Sequence, residues 1–239
     1  MAIISNKVAY LDDDVLLEAY FAFDDSFTGR RPAILIHHTW VGRDSFVEEK
    51  ARLLAEMGYF GFAVDLYGKG VLGASAAENA LLMQPFLDNR VALQKRVLAA
   101  FKIVKTIPWV DEDKIAAIGF CFGGLCALDL ARTGAALKAV VSFHGLLGAP
   151  NNLQDTQIQA KLLVLHGHDD PMVKPEQVLA FEQEMTAAGA DWQVHSYGHT
   201  VHAFTNPSAD NPQFGTVYNP VAARRSWLAM SNLLAEVFA

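Results

Sequence analysis

Cysteine is scarce: the 239-residue chain carries two, Cys121 and Cys126. Five residues apart on one turn-plus-helix stretch, they offer no framework of disulfides and fit a reducing compartment. No long apolar run is present, and none approaches the roughly 20 residues that a membrane-crossing helix needs. The opening MAIISNKVAY has no basic segment followed by an apolar core, so no secretory signal is expected. Positive charge is in deficit, with 19 Lys and Arg against 26 Asp and Glu, net -7, and no basic cluster. That balance argues against nucleic acid or an anionic membrane as partner. Repeats, low-complexity tracts and interdomain linkers are also missing. Residues 1–239 therefore read as a single cytoplasmic domain, monomer or homodimer, acting on a small molecule.

What is present is a core-forming composition, 52% hydrophobic and 19% charged. Two β-like runs, 7–10 and 15–23, flank the acidic turn Asp12-Asp13-Asp14 and predict an edge hairpin. The turn lacks the glycine and terminal glutamate of a calcium loop. Short apolar strands are expected at 33–36, 59–64, 115–118, 137–143, 161–165 and 192–196. Helices are expected after Asp44 or Ser45, over 88–106, after Cys121, over 175–188 and over 221–238. The stretch 69–82 reads as a loop or lid with a short helix, and 146–158 as a polar loop. Alternating strands and helices predict an α/β fold: a mostly parallel, twisted sheet of about eight strands with helices on both faces. Ligands in such sheets bind beyond the carboxyl ends of the strands.

One stretch carries the chemistry. Ile115 to Cys126 reads I-A-A-I-G-F-C-F-G-G-L-C, a strand, a tight turn and a helix. Its spacing is that of a G-x-S-x-G nucleophile elbow with Cys121 in the serine position. Glycines fit where strand and helix backbones close in, and a helix N-terminus favours a thiolate and a developing oxyanion. A nucleophile needs a base, and the base an orienter. Downstream, Asp169 and Asp170 follow one strand, and His195, His199 and His202 accompany the last. In H-G-x-x-D-P-x-V, residues 166–173, Asp170 stands before Pro171, which keeps it extended. In H-T-V-H-A-F, His202 is the expected base. A His199–His202 pair sharing a helix face would suit a metal, but no nearby carboxylate completes a set, and neither metal nor cofactor is expected. His37, His38, His144, His166 and His168 also fall near strand ends, with structural roles expected for the last two.

These segments, together with D-L-Y at 65–67, resemble the dienelactone hydrolase family, cysteine-nucleophile members of the α/β-hydrolase fold. The resemblance spans nearly the whole chain. It implies Cys121 as nucleophile, Asp170 as acid, His202 as base, and the backbone amides of Phe122 and Trp40 as oxyanion donors. His37, His38, Thr39, Tyr67, His144 and Phe204 are expected around the substrate. Three positions depart from the founding enzymes. Thr39 replaces a glutamate that takes part in thiol activation, Asn206 replaces a carboxylate-binding arginine, and Ala203 replaces a hydroxyl residue. Arg90, the one candidate for a second such arginine, is expected on a solvated helix face. A neutral ester or lactone, rather than a dienelactone, is the expected substrate. Aryl or phosphorus triesters form a second reading, a non-catalytic binding protein a third, and metal-dependent hydrolysis a fourth.

Overall fold

The computed structural model describes residues 2–152 and 157–239. In chain order the elements are β1 (Ile3–Asp12), β2 (Val15–Asp24), β3 (Arg31–His37), α1 (Ser45–Glu56), β4 (Phe60–Ala63), α2 (Ala76–Asp88), α3 (Arg90–Val104) and β5 (Val110–Phe120). They continue with α4 (Phe122–Arg132), β6 (Ala139–Phe143), β7 (Lys161–Gly167), α5 (Pro175–Ala187), β8 (Trp192–Tyr197), β9 (Asp210–Asn211), β10 (Thr216–Val217) and α6 (Pro220–Phe238).

The main sheet has eight strands in the order β1-β2-β4-β3-β5-β6-β7-β8. The β1–β2 and β2–β4 pairings are antiparallel and the others are parallel. Both sheet faces are covered because the central strands alternate two apolar sets. Ala33, Leu35, Ile115 and Ala117 pack with α3 and α4. Ile34, Ile36, Ala116 and Ile118 pack with α1 and α6. The chain runs outward from β3 to β4, then returns to β5 on the other side of β3. That reversal opens a crevice at the carboxyl ends of β3 and β5. It brings the 38–42 loop beside the turn at Cys121.

Local chemistry explains several departures from expectation. The acidic turn forms the tip of β1–β2, where Asp12 and Asp13 pair with Arg96 and Lys95. The 69–82 stretch instead leads into a 13-residue helix, α2, capped by Ser75, whose hydroxyl accepts from Glu78 N–H. Asn89 divides α2 from α3, ending the first and capping the second through Ala92 N–H. On α1 the buried stripe is Val47, Ala51, Leu54 and Ala55. Val91 is exposed at the start of α3. The expected loop over 146–158 falls partly on residues 153–156, which lie outside the described residues. No helix among the described residues is long and apolar enough to cross a membrane.

Candidate active site

Cys121 sits between β5 and α4 with φ 57 and ψ -120, a conformation that costs a non-glycine residue energy. The surrounding glycines make it possible by close approach. A Cβ on Gly119 would lie 1.9 Å from Gly123 O, one on Gly123 2.2 Å from His37 O, and one on Gly124 2.4 Å from Ser142 Oγ. Every residue of α4 is buried, which holds the helix against the sheet directly behind the cysteine. Phe122 is the first residue of α4, so its amide has no acceptor within the helix.

Asp170 and His202 come from the loops after β7 and β8 and meet at 2.7 Å, His202 Nδ1 to Asp170 Oδ2. Both are buried, whereas Asp169 is exposed. Asp170 Oδ1 accepts Met172 N–H at 2.8 Å, which fixes the carboxylate plane. The loop that carries His202 is pinned by two backbone hydrogen bonds, His202 N–H to Gly215 O and Val217 N–H to His202 O. The outer ring nitrogen, Nε2, is buried without a hydrogen bond of good geometry. It belongs to the cavity that Cys121 also lines. Burial disfavours the charged ring, but the neighbouring Cys121 sulfur and the Asp170 carboxylate outweigh burial and raise His202 to about 10.

The remaining expected residues divide into two groups. Thr39, Trp40 and His144 line a cavity of about 740 Å³ that also contains Cys121 and His202. His37, His38 and Phe204 are wholly buried and lie outside its lining, as does Tyr67. His38 and Tyr67 hold the loop through hydrogen bonds. His38 Nε2 accepts Leu66 N–H, so Nδ1 carries the proton and donates to Thr39 O at 2.5 Å. Because the peptide is planar, fixing the Thr39 carbonyl turns the Trp40 N–H the opposite way. The Tyr67 hydroxyl donates to the Trp40 carbonyl at 3.1 Å. His37 donates from Nδ1 to Ile118 O and joins β3 to β5.

The cavity wall includes residues that motif reading did not find. Phe46 and Asp44 come from the start of α1, and Ala76 and Met83 from α2. Leu146 and Met172 follow strand ends, and Phe214 sits in the β9–β10 hairpin. Phe214 stacks on Trp40 with centroids 5.8 Å apart, joining opposite walls. The available sequence signal was a lone aromatic in the turn-rich stretch 206–215. Asn206 and Ala203 also line the cavity. Among the described residues that line it there is no Lys or Arg, and Asp44 is the one carboxylate.

Arg90, expected in solvent, grips buried Asp129 with two nitrogens, Nε to Oδ2 at 2.6 Å, and also donates to Gly148 O. It is a structural cation, not a ligand-binding one. His199 is exposed in a loop with φ 54 and does not share a helix face with His202. No three metal-ligating side chains converge among the described residues. His166 is buried within β7, and burial lowers its pKa, whereas His168 is exposed.

Residues 17–238 match the model of the dienelactone hydrolase family. An uncharacterised Caenorhabditis elegans protein is 40% identical over 158 residues, 64% of this chain and 98% of that protein. A Bradyrhizobium protein described as a probable 2-oxo-3-(5-oxofuran-2-ylidene)propanoate lactonase is 28% identical, covering 84% of this chain and 82% of its own. The crystal structure of a dienelactone hydrolase-like promiscuous phosphotriesterase from metagenomic libraries superposes with a TM-score of 0.95. It is 37% identical over the whole of both chains.

Proposed function

The chain belongs to the dienelactone hydrolase family, and from that premise we propose that it hydrolyses uncharged carboxylic esters or lactones through a Cys121 thioester. The observation that carries this reading is that Cys121 and His202 line one cavity, with buried Asp170 bonded to the far side of the His202 ring. His202 takes the Cys121 proton, which leaves a thiolate beside an imidazolium. Sulfur attacks the ester carbonyl, and the amides of Phe122 and Trp40 receive the oxyanion, each donor worth about 3 kcal/mol in comparable sites. The carbonyl re-forms, the C–O bond breaks, and the departing alkoxide takes the His202 proton. Neutral His202 then removes a proton from water as its oxygen attacks the thioester. The acid departs and the Cys121–His202 pair is restored. Asp170 holds the ring tautomer throughout and stabilises its charge.

Substrate charge follows from the cavity wall. With no Lys or Arg among the described lining residues and Asp44 present, a carboxylate on the substrate would be desolvated without a partner. Thr39 supplies only a hydroxyl where the family's founding enzymes carry a carboxylate, so proton removal from Cys121 rests on His202. Replacement of Cys121 with Ala is the test, read on p-nitrophenyl esters. Loss of turnover is expected, and a fully active Cys121→Ala enzyme would end the proposal.

A second reading has support in the 37% identity to the promiscuous phosphotriesterase across the full chain. The same parts suit it: sulfur attacks phosphorus, an aryl oxide leaves with the His202 proton, and water then cleaves the S–P bond. An aryl phosphotriester assayed beside the carboxylic esters measures it directly, with both activities expected to vanish together in Cys121→Ala.

A further inference from the structure

His144 faces the cavity, yet neither of its ring nitrogens is free for substrate. Nδ1 lies 3.2 Å from the Cys121 amide nitrogen, and Nε2 lies 2.7 Å from Thr205 Oγ1. The same Cys121 N–H is shared with Phe143 O at 3.1 Å. We infer that His144 is a positioning residue, fixed in one tautomer by Thr205, which ties the backbone of the nucleophile to the loop that carries the base. This rests on the roles proposed above for Cys121 and His202.

The tautomer follows from the partners. A backbone N–H can only donate, so Nδ1 of His144 must be bare. The ring's single proton is then on Nε2, and it donates to the Thr205 hydroxyl. Burial, reinforced by the positive charges of His202 and Lys50, keeps the ring neutral. A second ring proton, or the other tautomer, would set one N–H against another. The ring is anchored from several directions. Its own backbone N–H donates to Leu165 O at 2.8 Å, and its φ of 39 is in the left-handed region. Its edge meets the rings of His202 and Phe204, each with centroids 5.1 Å away. Thr205 lies three residues beyond His202 on the same loop. One neutral imidazole thus links the ends of β5, β6 and β7 to the loop after β8, where the spacing of sulfur and base is set.

Removing the Thr205 hydroxyl strands the Nε2 proton in a buried place, and the ring gains by turning away. Reacting groups displaced by about 1 Å lose up to about a hundredfold in rate. Thr205→Val keeps the side chain's shape and removes the acceptor, and Thr205→Ser keeps the acceptor. Thr205→Val is expected to lower kcat roughly 10- to 100-fold with KM nearly unchanged, and Thr205→Ser to recover most of that loss. Nitrogen-15 NMR of histidine-labelled wild-type protein should show His144 as a neutral Nε2–H ring that does not titrate across neutral pH. An Nδ1–H ring, or one that titrates there, overturns the inference whether or not a variant folds. Wild-type kcat in Thr205→Val, or equal losses in the Val and Ser variants, would do the same. If either occurs while Cys121→Ala is inactive, this inference alone fails. Full activity in Cys121→Ala removes the parent reading as well.

Discussion

Exchanging Asp170 for Asn alters one atom pair, and the structure says how the amide will settle. Asp170 Oδ1 accepts the Met172 N–H at 2.8 Å, and Oδ2 accepts from His202 Nδ1 at 2.7 Å. An asparagine placed there must keep its oxygen toward Met172, because an NH2 group would confront an N–H. Its NH2 then faces His202 Nδ1, which can no longer carry a proton. The ring is forced into the Nε2–H tautomer and loses the lone pair that should take protons from the thiol and from water. The equivalent tautomer error in a serine triad costs about 10⁴ in kcat. At 1.36 kcal/mol per tenfold, that is about 5 kcal/mol of transition-state stabilisation. Steady-state hydrolysis of a p-nitrophenyl ester should therefore fall by about four orders of magnitude, while the circular dichroism spectrum stays unchanged. A variant within tenfold of wild type would show that Asp170 does not set the tautomer of the base.

Acid should weaken the fold before it protonates most carboxylates. Burial holds His37 at about 3 and His38 at about 4, and holds His144 well below its usual value. The unfolded chain takes protons at these rings below about 6.5 and the folded chain does not, so stability is lost as pH falls through that value. Each ring contributes up to about 1.4 kcal/mol per pH unit until its folded value is reached. His202, raised instead, gives stability that is lost as pH rises through about 10. Thermal melting should therefore show a clear drop in Tm from pH 7 to pH 5, and a flat profile would contradict the burial of neutral rings. Arg90→Ala should cost about 3 kcal/mol in urea unfolding, since it leaves Asp129 buried with Arg132 as its remaining partner, and should leave KM for neutral esters unchanged. A raised KM with intact stability would return Arg90 to the substrate.

Much of this architecture was legible because the strands are short apolar runs and each is followed by polar residues. The elbow could be read from Gly119, Cys121 and Gly123 alone, since spacing there answers to backbone contact. Asp170 was separable from Asp169 because Pro171 restricts only its immediate predecessor. Other features depend on contacts between distant segments. His38 and Tyr67 looked like substrate ligands because they lie beside a strand end, but their polar atoms are used up on Leu66, Thr39 and Trp40. Arg90 looked solvated because its partner, Asp129, is 39 residues away on a different helix. Phe214 has no periodic neighbours, and only the fold of the 206–217 segment carries it over the cavity to Trp40.

Whether Cys121 carries the acyl group can be read by intact-mass spectrometry after brief mixing with an activated ester. A gain of one acyl unit is expected on the peptide containing Cys121, disappearing on the timescale of turnover. Hydrolysis that proceeds with the burst of product absent and Cys121 never acylated would contradict it.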